Sequence, residues 1–369
     1  MNQSKGQVLI IGQTPPPYHG QSVMIQKITE ARCNSLEMHF LRMNYSSEID
    51  QVGRFSFRKI WLIIKLLNNA RKIILKENID LVYYPPAGTG MVPIIRDIIS
   101  LIYLRRFNCS FVLHFHAMGL EESYRKMSIL KFLFKKAFFG VEACIGLSEF
   151  NVRELSFLQA KKIEIVPYGV GNESVKKEEV SEEMVTILYV GNIIESKGVL
   201  KLLDSVESLT QKGLKINAEF VGGMTSKSLE EKIRSHPSVT KGIAKFLGIK
   251  VGDEKEKLFK KADIFCFPTF YENENFPVVI LEAMMFSLPI VSTKWRGIPS
   301  MVDNSNGFLI KPKDQSELNS NLEKLIENKS LRLKLGEQSR IKYDKRFREE
   351  IYKNNICNVL TEIIQNEQK

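Results

Sequence analysis

Cysteine is scarce in this chain: Cys33, Cys109, Cys144, Cys266 and Cys357 lie far apart, with no CxxC pair. An odd, dispersed set is expected to be reduced thiols, mostly packed inside a cytoplasmic protein. No His/Cys spacing suits zinc, so no metal is expected. Long apolar runs are missing too. Arg96 and Asp97 interrupt the most apolar region, and no segment reaches the roughly 18 uninterrupted apolar residues of a spanning helix. The first apolar run, Gln7–Gly12, is too short for a signal peptide and leads into Pro-rich polar sequence without a cleavage pattern. Neither GxGxxG nor GxxxxGK[ST] occurs, so dinucleotide oxidoreductases and P-loop enzymes lose their main support.

What is present is an ordinary globular composition, 44% apolar and 26% charged, over 369 residues. That length is long for one core and implies two domains. The net charge of +11 is uneven, because residues 1–175 hold 22 Lys+Arg against 14 Asp+Glu. A basic half suggests a polyanionic neighbour: nucleic acid, acidic lipid headgroups or a phosphorylated acceptor.

Short apolar runs at Val8–Ile11, Leu81–Tyr84, Ser110–His114 and Ala143–Leu147 read as buried strands. Amphipathic stretches such as Phe57–Lys76 and Val92–Arg106 separate them, as in a parallel sheet covered on both faces. A polar linker is expected from Asn172 to Glu183, after which the pattern restarts at Val185–Val190 and continues through Ala218–Val221, Ala262–Phe267 and Pro289–Ser292. The expectation is α/β: two doubly wound Rossmann-like domains, 1–172 and 183–343, with a cleft between them. A last amphipathic helix, 344–369, is expected to cross both.

One segment carries chemistry. Phe270 to Met284 reads as a polar loop entering a helix, with Pro277 near the first turn, where a missing N–H costs little. The helix amino terminus offers free N–H groups and partial positive charge to a diphosphate. Glu274 precedes that terminus and Glu282 lies inside the helix, so the two carboxylates can accept hydrogen bonds from hydroxyls on different parts of one ligand.

The spacing Glu274-x7-Glu282, with Phe276 after the first Glu and Ala283-Met284 after the second, resembles glycosyltransferase family 4, retaining enzymes of GT-B architecture. Further matches run in order along the chain: the loop Pro15–Gly20, Gly146–Glu149, Val166–Val170, Tyr189–Gly198, Phe246–Ile249 and Ser287–Val291. The resemblance implies that Glu274 contacts the donor sugar, Glu282 the ribose hydroxyls and Lys197 the diphosphate. Gly191, Asn192, Ile249, Asn275, Phe276 and Val278 would complete the donor site. His116, after a strand, resembles the family histidine near the donor sugar, and Gly20, with His19, would let the first loop approach donor phosphates or acceptor.

Plainer alternatives stand beside these roles: an exposed lysine at a helix start, a surface glutamate, hydrogen-bonded core histidines at 114 and 116, and an ordinary turn at Gly20. The chain departs from the family pattern at Asn192, Pro277 and Tyr168, where Arg, Gly and Asn are frequent. The implied reaction moves a sugar from a nucleoside diphosphate sugar to a glycan or lipid-linked acceptor, without a cofactor. Phe57–Lys76 and Tyr124–Phe139 mix Lys/Arg with large apolar residues; the first is expected to cover the sheet, and the second could also meet an acidic membrane surface. The rival classes are a nucleotide-sugar epimerase or hydrolase and a basic nucleic-acid-binding protein, although no recognised nucleic-acid motif occurs.

Overall fold

The structure, a computed structural model, describes residues 5–16, 20–43, 57–87, 90–171 and 184–367. His19 and the expected linker from Asn172 to Glu183 lie outside the described residues. The chain divides into two compact units: Met1–Tyr168 together with Glu349–Lys369, and Gly169–Arg348.

Unit 1 holds β1 (Gly6–Gly12), α1 (Gly20–Thr29), β2 (Leu36–Arg42), α2 (Phe57–Lys76), β3 (Leu81–Tyr84) and α3 (Met91–Leu104). After these come β4 (Ser110–His114), α4 (Leu120–Lys126), α5 (Lys131–Phe138), β5 (Ala143–Gly146), α6 (Glu149–Leu155) and β6 (Lys162–Ile165). The strands form one parallel sheet in the order β2-β1-β3-β4-β5-β6. The four apolar runs of the first half are the four central strands. The two that composition does not mark, β2 and β6, are the edges, where most side chains are at least partly exposed.

On one face of this sheet α2, α3 and α5 bury Leu67, Ala70, Ile98, Leu101, Phe134 and Phe138 with Leu9, Val82 and Leu113 of the strands. Each of the larger side chains among them contributes about 1.5–3 kcal/mol by leaving water. α3 packs beside both α2 and α5, so the three make one layer.

Unit 2 holds β7 (Val185–Val190), α7 (Val199–Gln211), β8 (Ile216–Val221), α8 (Lys227–Arg234), α9 (Pro237–Thr240), β9 (Ala244–Phe246) and α10 (Gly252–Lys261). It continues with β10 (Ile264–Phe267), α11 (Val278–Met285), β11 (Ile290–Thr293), β12 (Gly307–Ile310), α12 (Gln315–Glu327) and α13 (Lys329–Arg346). Its sheet is also parallel, ordered β12-β11-β10-β7-β8-β9.

The final helix, α14 (Glu349–Glu367), belongs to unit 1. It starts later than the expected Asp344, because α13 runs on to Arg346 and the acids Glu349 and Glu350 open the new helix, where its dipole favours negative charge. α14 packs against α1, and its Ile364 occupies the space over Gly6, where a Cβ would stand 2.9 Å from Ile364 Cδ1. Cys357 of α14 is disulfide-bonded to Cys33, with their Cα atoms 5.6 Å apart. The expectation of five reduced thiols therefore does not hold for this pair: spacing along the chain cannot reveal two cysteines that only the fold brings together. Cys109, Cys144 and Cys266 are free, and burial pushes the Cys144 thiol up to about 12.

Candidate functional site

In both sheets the chain reverses direction of growth beside its first strand, between β1 and β3 in unit 1 and between β7 and β10 in unit 2. Ligands of doubly wound sheets sit beyond the carboxyl ends of the strands at such points. In unit 2 the loops leaving β7 and β10 carry Lys197 and Glu274.

β7 ends at Gly191, which has φ 154 and leaves its missing Cβ 3.1 Å from the Phe267 ring. Asn192 follows, its carbonyl accepting from the Tyr189 hydroxyl at 3.1 Å. A 3-10 turn then brings up Lys197, and Gly198, at φ 80, packs so closely on the Pro268 carbonyl that a Cβ would come within 2.2 Å of it. The same two loops are joined by Phe270 N–H donating to the Ser196 carbonyl at 2.8 Å. Held this way, Lys197 Nζ lies 3.2 Å from Glu274 Oε2 and faces the rings of Phe267 and Tyr271 at 5.6 and 5.4 Å. Both charged side chains are mostly buried, 15% and 12% exposed. Their pairing is ionic without hydrogen-bond alignment at Oε2. Burial, with Glu274 as a lesser cause, pushes the Tyr189 phenol well above its ordinary value, so it stays neutral.

Pro277 caps α11 from outside the helix, making Val278 the first helical residue. The first N–H groups of a helix have no partner within it. Asn275 is buried, and its carbonyl accepts from Gly297 N–H at 3.2 Å. Phe276 is buried 6.1 Å from the Phe347 ring, which places its side chain in packing. Glu282 Oε1 accepts from Lys255 of α10 at 2.7 Å, and its Oε2 is buried with no partner among the described residues. Such an orphan acceptor costs free energy unless a ligand satisfies it. Lys255 was missed from sequence: nothing in its local pattern marks a contact 27 residues away.

Beyond β8 and β9 the backbone narrows again. Gly222 N–H donates to the Gly248 carbonyl at 2.9 Å, and Ile249 packs its Cδ1 over Gly223 while staying 73% exposed. An exposed apolar side chain above a glycine makes a ledge on which a flat ring can lie.

In unit 1, Gly20 opens α1. His114 is fully buried, and its Nδ1 is bonded to the Tyr83 hydroxyl. Burial, and secondarily His116, lowers its pKa well below the ordinary value, so it is a neutral core residue. His116 lies beyond the strand end, 8% exposed, its ring 4.1 Å from that of His114. Its Nδ1 is 2.6 Å from the Tyr168 hydroxyl, and burial raises that phenol's pKa so that it keeps its proton. The aromatic side chain at 168, one of the departures from the family pattern, is therefore the direct partner of His116.

Residues 171–342 match the model of the family "Glycosyl transferases group 1". Over 379 aligned positions the chain is 23% identical to the capsular polysaccharide biosynthesis glycosyltransferase CapM of Staphylococcus aureus, covering 95% of this chain and 94% of CapM. Among solved structures, the sucrose-phosphate synthase of Thermosynechococcus elongatus superposes with a TM-score of 0.73 at 15% identity, over 98% of this chain and all of that one. Anabaena HepE in complex with UDP-glucose gives 0.71 at 16%, over 96% and 99%. The chain has the two-unit GT-B fold, and its second unit is a domain of the group 1 glycosyl transferases.

Proposed function

We propose that this protein is a retaining glycosyltransferase of family 4. It would transfer a sugar from a nucleoside diphosphate sugar to a glycan or lipid-linked acceptor in cell-surface polysaccharide synthesis, at the inner face of a membrane and without a cofactor. The observation that carries the reading is the Lys197–Glu274 pair at the reversal point of the unit 2 sheet, with Glu282 on the helix that follows. The relatedness to CapM supports the biological setting, and the UDP-glucose complex of HepE supports the donor class.

In the reaction the bond from the anomeric carbon to the diphosphate oxygen breaks, a bond to the acceptor hydroxyl oxygen forms on the same face, and the hydroxyl proton passes to the departing diphosphate. The demand is for groups that stabilise the leaving diphosphate and the positive charge growing on the sugar carbon. Lys197 and the first N–H groups of α11 serve the first. Glu274 holds the sugar hydroxyls, and with a donor bound its ion pair with Lys197 gives way to ligand contacts. Glu282, fixed by Lys255, offers Oε2 to the ribose, and Ile249 provides the ledge for the base. For His116, whose Nδ1 is turned to the Tyr168 hydroxyl, a role near the donor sugar rests on the family resemblance alone.

Purified protein screened by thermal shift against nucleoside diphosphates and their sugars identifies the donor, and product analysis with and without acceptor separates transfer from hydrolysis or epimerisation. Lys197→Ala and Glu274→Gln are each expected to lower transfer about 100-fold or more. Transfer at the parental rate by both variants would show that the site is elsewhere.

A further inference from the structure

Among the described residues, Asn78, Gln159, Ser287, Arg296 and Lys313 have left-handed backbone without being glycine. Asn78, Gln159 and Ser287 stand where helices stop, the ordinary place for that conformation, and Lys313 lies in the turn before α12. Arg296, at φ 45, has no helix end to explain it. It lies between β11 and a 3-10 turn at Ile298–Ser300. Such a backbone persists only where its surroundings enforce it, and it gathers at ligand sites.

Here the surroundings do enforce it. The chain leaving β11 is stitched to the chain leaving β10 at four places. The Ser292 hydroxyl donates to the Phe267 carbonyl at 2.6 Å, and the Thr293 hydroxyl to the Thr269 carbonyl at 2.5 Å. The Trp295 indole N–H donates to the Tyr271 carbonyl at 2.8 Å, and Gly297 N–H to the Asn275 carbonyl at 3.2 Å. Arg296 stands between the last two contacts, beside the stretch 271–275 that carries Glu274. Its Cζ lies 5.6 Å from the Trp295 ring. The side chain is half-buried, Nε is buried without a hydrogen-bond partner, and no carboxylate among the described residues pairs with it. An ordinary surface arginine would take a relaxed backbone and keep Nε in water. A rigidly framed guanidinium with a buried donor unmet suits an anion that comes from outside the chain.

Strand order says which part of a ligand it meets. Along the carboxyl edge of the unit 2 sheet, Ile249 lies past β9 and Gly223 past β8, Lys197 and Glu274 follow β7 and β10, and Arg296 follows β11. A nucleotide sugar with its base on the Ile249 ledge and its diphosphate at Lys197 extends its sugar towards β11. The diphosphate already has Lys197 and the first N–H groups of α11, so the anion left for Arg296 is on the sugar. A planar guanidinium matches a planar carboxylate through two parallel hydrogen bonds.

We propose that Arg296 binds a carboxylate on the donor sugar, so that the donor is a nucleoside diphosphate uronic acid. This rests on the donor site proposed above and names its substrate class.

The test is isothermal titration calorimetry of the full-length protein with UDP, UDP-glucose, UDP-galactose and their two uronates, and with GDP, GDP-mannose and its uronate. At least one uronate is expected to bind about tenfold or more tightly than its neutral counterpart, the worth of a charge-assisted pair. Arg296→Gln and Arg296→Gly are each expected to abolish that preference while leaving the affinity for UDP or GDP unchanged. Glycine also relieves the left-handed backbone, so the unfolding temperature of Arg296→Gly is expected not to fall, and its lost preference is then not a loss of fold. Equal binding of every uronate and its neutral counterpart by the unmodified protein overturns the proposal. So does an equal loss of affinity for UDP or GDP in both variants, because Arg296 would then serve the diphosphate. Either result leaves the assignment of Lys197 and Glu274 standing, whereas the absence of all nucleotide binding overturns both.

Discussion

Gly222 stands at φ 151, and a Cβ there would lie 1.9 Å from the Gly191 carbonyl oxygen. The neighbour is backbone, not the end of a flexible side chain, so nothing can move aside cheaply. Gly222→Ala is expected to cost on the order of 2–4 kcal/mol, combining left-handed strain with a displaced Gly191 turn. Calorimetry would show a lowered unfolding temperature for unit 2, and nucleotide affinity should fall with it. The strongest site signals at this scale, Glu274, Glu282 and Lys197, were legible because their loop and helix context is local. Lys255 and Tyr168 were not, since each matters only through a partner the fold supplies: Glu282 across 27 residues and His116 across 52.

Elements show the same division between local and distant information. Central strands declare themselves because both faces are buried and their residues are apolar throughout, as in Leu81–Tyr84. β2 and β6 alternate or are charged because one side of an edge strand meets water. The start of α14 was misplaced by a few residues, as amphipathic periodicity runs through α13 and α14 alike.

α14 is held to unit 1 by charge as well as by packing. Glu349 accepts from Lys27 and, at 2.7 Å, pairs with Lys353. Burial raises its pKa, but hydrogen bonds from both lysines outweigh that, so the folded value lies below the ordinary 4.5. A depressed carboxylate adds stability above its unfolded pKa and loses it as pH falls through the folded one. The stability advantage of the unmodified protein over Glu349→Gln should therefore be full at neutral pH and shrink below about pH 4.5; a constant difference down to pH 3 would contradict this.

The Cys33–Cys357 bridge fastens the same helix covalently. Cys33→Ser is expected to remove up to about 4 kcal/mol from unit 1, and reductant should lower the unfolding temperature of the unmodified protein while leaving the variant unaffected.

Across the whole molecule, the two-domain arrangement was readable because each half repeats the strand–glycine turn–helix opening. The boundary was less so, because unit 1 is discontinuous in sequence: the chain leaves it after Tyr168, builds all of unit 2 and returns at Glu349. That route imposes an order on synthesis. A ribosome releasing the chain from its amino terminus exposes every strand of unit 1 long before α14 exists to cover Gly6 and to present Cys357 to Cys33. The nascent amino-terminal sheet therefore waits, with one face incomplete, through the production of 180 further residues. The first unit is the last to be finished, and unit 2 is complete before the clasp that closes unit 1 has been made.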